Sequence, residues 1–93
     1  MIDFEQKNPG EIGASVAAWV RARRKELGLT QQQLNSKAGM SLASYKRFEQ
    51  KGLVAFDSLI RIAIALGCED DFGSLFAKRG DSSIEEVIRG RKR

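Results

Sequence analysis

Residues 30–50, TQQQLNSKAGMSLASYKRFEQ, decide the fold. Two short helix-forming stretches pivot on Ala38-Gly39. Thr30 is a capping residue and Gln33, three positions on, completes a capping box, which predicts a helix over about Gln31 to Ala38. Gly39 ends that helix, Ser41 caps another running to about Gln50, and Lys51-Gly52 ends it. Leu34, Ala38, Met40, Tyr45 and Phe48 can face a core. Leu42, Ala43, Lys46 and Arg47 point the other way. Two helices at a steep angle about a glycine turn form a helix-turn-helix unit, whose second helix suits the DNA major groove. A lone glycine between helices is a weak signal; the whole stretch is a stronger one.

Upstream, Ile12, Val16, Trp19, Val20 and Leu27 recur at helical spacing, with Trp19 read as core, and Gly28 closes that helix. Asn8-Pro9-Gly10 reads as a turn signal behind a loose leader. Downstream, a fourth helix is expected from about Phe56 to Leu66, ended by Gly67. Its core arc is Phe56, Leu59, Ile60, Ile62, Ala63 and Leu66, and Ile64 falls about 40° beyond the edge of that arc. EDDFGSLFAK suggests a short fifth helix, with Asp70 and Asp71 at its positive end. SSIEEVIRG suggests one or two further helical turns. Strand signals are weak throughout, so the fold class is all-α. Residues 1–10 read as a flexible leader, 11–78 as the folded domain and 79–93 as a basic tail.

Composition narrows the function. Ninety-three residues with 30% charged and 42% apolar residues suit one globular domain. No apolar run approaches the ~18 residues of a membrane span, and MIDFEQKNPG lacks a signal-peptide pattern. A single cysteine, Cys68, makes no internal disulfide and fits a cytoplasmic setting; it reads most simply as a small buried hydrophobe. With no histidine, most zinc and His-based catalytic constellations are excluded. No phosphate-cradling glycine loop and no nucleophile–base pair is present, so an enzyme is a poor reading and no cofactor or metal is implied. The net charge of +4 comes from RGRKR at 89–93; without it, twelve basic and twelve acidic residues balance. That tail is either a phosphate-reaching arm or a solvated end.

Arg24…GLTQQQLNSKAGMS…Phe48-Glu49, followed by an amphipathic helix ending in ALG, resembles the lambda repressor/Cro-type (XRE) helix-turn-helix domain over about residues 12–67. The resemblance implies a compact five-helix DNA-binding domain, usually dimeric on palindromic operators and commonly a transcriptional repressor. It also implies that Gln31 opens helix 2 and touches the DNA backbone, and that Leu42, Ala43, Lys46 and Arg47 stand outward on the recognition helix. Arg24 and Glu49 match a pair that ties helix 1 to that helix, which makes Glu49 structural rather than catalytic. Such a pair adds little net stability, yet removing one partner costs about 3–5 kcal/mol. Tyr45 departs from the family, which usually carries an aliphatic residue there; its hydroxyl needs a partner at the core's edge or on a phosphate. Val54 stands where a proline is common. The longer ending CEDDFGSLF, with SYKRFEQKG, resembles HipB-like antitoxins found beside HipA-family kinase toxins, which implies a toxin protein as a possible second partner.

Arg47 is the leading base reader, since a guanidinium can engage guanine O6 and N7 together for ~1–3 kcal/mol of discrimination. Leu42 and Ala43 suit thymine methyls, leaving DNA shape a larger share of the readout. Gln31, Ser41, Ser44, Lys46, Gln50 and Lys51 are assigned to the DNA backbone. Arg21, Arg23 and Lys25 read as a solvated face, with Arg23 able to flank the backbone. One module of this size buries too little DNA for tight binding, so a homodimer is expected. Ile64, Phe72, Leu75 and Phe76 are the candidates for its interface, although Phe72 and Phe76 read first as completing the core from helix 5.

Overall fold

The computed structural model describes residues 8–77 of the chain. The leader residues 1–7, the tail 79–93 and the SSIEEVIRG stretch lie outside the described residues. Helix α1 spans Pro9–Glu26. It begins three residues before Ile12, because Asn8 is a cap and not part of a turn. The Asn8 side chain accepts from the Glu11 amide at 2.8 Å, and the Glu11 carboxylate accepts from the Asn8 amide at 3.1 Å. Pro9 then occupies the first turn, where its missing N–H costs nothing.

Helix α2, Gln31–Ala38, opens on the expected capping box between Thr30 and Gln33. Gly39 follows with φ 68°, a left-handed conformation that glycine adopts without a Cβ penalty. Across this turn Asn35, which is buried, works as a latch: its side-chain amide donates to the Met40 carbonyl at 2.8 Å. Ser41 caps α3, Leu42–Lys51, and Gly52 ends it. After a four-residue connection, α4 spans Phe56–Ala65 with no side-chain cap on Ala55. The expected fifth helix is a 3-10 helix, Glu69–Ser74. Three successive acids and Gly73 give the segment too little helical propensity to sustain α-type bonding. Every described element is helical, and none is long and apolar enough to cross a membrane.

The core consists of Ala17 from α1, Leu34 and Ala38 from α2, Tyr45 and Phe48 from α3, with Ile62 and Leu66 from α4. Tyr45 and Phe48 meet edge to face at 6.1 Å. Burying each of the large side chains contributes about 1.5–3 kcal/mol. α1 packs on α3, while α2 packs on both α3 and α4. Two residues expected in the core lie outside it. Trp19 is 55% exposed, because at 100° per residue it lies about 160° around α1 from Ala17, on the far side from the buried line of Ala17 and Arg24. Phe56 is 62% exposed at the first position of α4, where its ring meets Phe72 edge to face at 5.9 Å.

Candidate nucleic-acid interface

α3 divides its residues cleanly between two sides. At 100° per residue, Ala43, Lys46, Arg47 and Gln50 fall within an arc of about 100° opposite Tyr45 and Phe48. All four are exposed, while the two aromatics are fully buried. Among the described residues neither Lys46 nor Arg47 enters a salt bridge, so both cations face outward uncommitted. Lys51 is exposed at the end of the helix. Leu42 is half-buried and lies about 90° from the centre of the exposed arc, at its flank.

Ser41 and Ser44 form the helix entry. The Ser41 hydroxyl accepts from the Ser44 amide at 3.1 Å and donates to the Ser44 hydroxyl at 2.9 Å. Met40, Ser44, Arg47, Leu53, Val54, Ala55 and Ser58 line a groove between α3 and the start of α4. A second groove, on the other side of α3, is walled by Arg21, Arg24, Thr30, Gln31, Glu49 and Gln50. Arg23, by contrast, is paired with Glu26 at 3.0 Å, so part of its charge is already spent within α1.

What holds α3 in place is a polar cluster behind this face. Arg24 Nε donates to Glu49 Oε2 at 2.9 Å, and Arg24 also donates to the Leu29 carbonyl at 2.8 Å. Both side chains are removed from water, at 9% and 5% exposure. Gln31 Nε2 donates to Glu49 Oε1 at 2.9 Å, and the Tyr45 hydroxyl donates to Glu49 Oε2. The tyrosine's partner is therefore this carboxylate at the core's edge, and not a phosphate. Burial pushes the Glu49 pKa up, but the hydrogen bonds from Arg24, Tyr45 and Gln31 outweigh it and hold the carboxyl below its ordinary value. The Tyr45 phenol is raised well above its ordinary value, first by burial and then by the adjacent carboxylate. The hydrogen bond to Glu49 raises Arg24.

A second device escaped the sequence reading. Gly13 of α1 crosses Gly52 so closely that a Cβ on Gly52 would stand 2.6 Å from the Gly13 carbonyl carbon. The signal for it was a glycine inside a helix, which costs about 1 kcal/mol and so implies a packing reason. Asn35 escaped too, because one asparagine within a helix carries no distinguishing pattern.

Two short helices joined through a left-handed glycine and packed on each other, the second exposed and cation-bearing, define a helix-turn-helix DNA-binding protein. The sequence agrees: a helix-turn-helix family profile matches residues 20–72, more than half of the chain, and the chain belongs to that XRE-type, lambda-repressor-like family. It is a DNA-binding transcription regulator. No curated protein matches the sequence.

Proposed function

We propose that the protein is a dimeric repressor that binds a palindromic operator in its own promoter region, in the cytoplasm, with α3 in the major groove. The observation that carries this reading is the exposed arc of α3, with two uncommitted cations outward and two aromatics locked inward. Arg47 and Ala43 read bases, with Leu42 at the edge of the contact. Lys46, Ser41, Ser44, Gln31, Gln50 and Lys51 meet phosphates and set the register. The dimer supplies a second α3 about one turn of DNA away, ~34 Å. Ile64, Phe72, Leu75 and Phe76 form its interface: Ile64 and Phe76 are 57% and 89% exposed, which favours a partner surface over core completion.

Fluorescence anisotropy tests this, using duplex DNA from upstream of the gene against a scrambled duplex across a salt series. The expected result is a preference of ~10³ or more for the upstream DNA. If about six phosphates are neutralised, affinity falls ~10³-fold between 50 and 200 mM salt. Equal, weak binding to both duplexes would overturn the operator reading. The same apolar face bears on the antitoxin alternative, in which a kinase toxin and not a second copy covers it. Sedimentation separates the two readings: a dimer by itself supports the repressor, and a monomer that associates only with the product of an adjacent kinase-like gene supports the antitoxin.

A further inference from the structure

We infer that Tyr45 is a positioning residue for DNA binding, its buried hydroxyl fixing the Glu49 carboxylate in the orientation that holds Gln31 at the start of α2. The inference rests on the proposed contact of Gln31 with the DNA backbone, and extends it to a residue that never meets DNA.

A carboxylate offers about four lone-pair sites. Here Oε2 takes Arg24 Nε at 2.9 Å and the Tyr45 hydroxyl, while Oε1 takes Gln31 Nε2 at 2.9 Å and, more loosely, Arg24 Nη2 at 3.4 Å. The unequal Arg24 distances show a skewed fork, tighter on the oxygen shared with tyrosine. Tyr45 lies one helical turn before Glu49, so its bond does not tie α3 to another helix; it selects the rotation of the Glu49 carboxylate. An aliphatic side chain at position 45 fills the same core space and donates nothing. The carboxylate is then free to turn into the symmetrical two-bond geometry that arginine prefers. That rotation draws Oε1 toward Arg24 and away from Gln31.

Gln31 is the first residue of α2 and half-buried, in the wall of the groove with Arg21, Thr30 and Gln50. Its amide is planar, so when one N–H is held by Glu49 the direction of the other is set. Tyr45 and Phe48 are fully buried, so water cannot replace the missing donor from the core side; the groove that Arg24 and Glu49 also line opens on the Gln31 side of the carboxylate instead.

A double-mutant cycle tests this on the full chain, with a fluorescein-labelled mixed-sequence duplex at low salt as probe, because a phosphate contact is indifferent to sequence. Gln31→Ala is expected to weaken binding about tenfold, and Tyr45→Phe about fivefold, each at a temperature where circular dichroism shows a folded protein. The double variant is expected to bind no more weakly than Gln31→Ala alone. Phe48→Leu, which disturbs the same core without touching the carboxylate, is expected to lower Tm and to add independently to Gln31→Ala. Equal losses from Tyr45→Phe in both backgrounds would overturn the inference and leave the Gln31 contact standing. No loss from Gln31→Ala would overturn both, and absence of wild-type binding would overturn the DNA reading itself. Nitrogen-edited NMR of the wild-type protein gives a check that needs no variant: one Gln31 side-chain amide hydrogen should be shifted strongly downfield of the other. Two ordinary, unshifted amide hydrogens would overturn the inference.

Discussion

Where α1 crosses the end of α3, two glycines bring the backbones together and each oxygen of the buried Glu49 carboxylate accepts two donors. Where α4 meets the 3-10 helix, Phe56, Ile64, Leu75 and Phe76 are exposed, and the Phe56 and Phe72 rings meet edge to face. The first region is complete in one chain: its polar groups are paired and its backbone crossing has no room for another atom. Among the described residues the second leaves large apolar side chains exposed, which is the property that the proposed partner surface rests on. The contrast separates what orients the recognition helix from what the protein offers to other molecules. Substitutions should therefore act on stability at one end and on association at the other.

The largest effect is expected from Glu49→Ala. It leaves Arg24 charged, nearly sealed from water and bonded only to the Leu29 carbonyl, at a cost of about 3–5 kcal/mol. Urea unfolding measures it, and a loss below 1 kcal/mol would mean that the cluster is solvated and the contrast false. Gly52→Ala comes next. It puts a Cβ 2.6–2.8 Å from the Gly13 and Ala14 backbone, at a left-handed φ of 70°. Strain and overpacking together should cost about 2–4 kcal/mol. Gly39→Ala meets nothing within 4 Å at a similar φ of 68°, so it should cost only the ~1–2 kcal/mol of the left-handed conformation. Equal losses at both glycines would remove the close crossing as the reason for Gly52.

Acid reaches the same cluster more gently. The Glu49 pKa is lower in the folded protein than its ordinary value of 4.5, so its contribution is fully present above that value. It is lost as pH falls through the lower folded value. The stability difference between wild type and Glu49→Gln should therefore shrink on acidification below about pH 4.5 and be flat above about pH 6. Tyr45 works in the opposite sense. Its folded pKa is raised, so stability is present below the ordinary value of 10.0 and declines as pH climbs beyond it. Tyr45→Phe should abolish that alkaline decline.

The helices that carry the cluster are legible from residue types and spacing; the cluster itself is not. Thr30, Gln33, Gly39 and Ser41 are local signals that act within three or four residues, and α2 and α3 fall where those signals put them. Arg24 and Glu49 were legible only through family resemblance, since they are 25 residues apart and local periodicity does not connect them. The sequence leaves the Tyr45 partner open between core edge and phosphate, because a hydroxyl on an inward position specifies a need and not a donor–acceptor geometry. Gln31 was read as a backbone contact, and its bond to Glu49 was invisible because the bonding partner lies on another helix. The exposed end was read least well. Helical spacing put Phe56 and Trp19 in the core, but periodicity gives a direction around one helix and says nothing of where the neighbouring helix stops.

The smallest stability effect is expected at the unfinished end, where it is the most informative. Ile64 points away from the core of α4 and is 57% exposed, so Ile64→Glu removes little burial and strands no polar group. Its cost to the folded monomer should be within about 0.5 kcal/mol. In the proposed dimer the same side chain would meet its symmetry mate or a neighbour in an apolar patch, where an unpaired carboxylate is expelled. Sedimentation should then show a dimer weakened by at least tenfold while the urea midpoint of the monomer stays in place. Loss of both together would assign Ile64 to the core. Loss of neither would remove Ile64 from the proposed dimer interface, leaving Phe56, Phe72 and Phe76 free for a different protein. The cluster behind α3 makes the opposite prediction, since nothing done to Glu49 should change association without first changing folding.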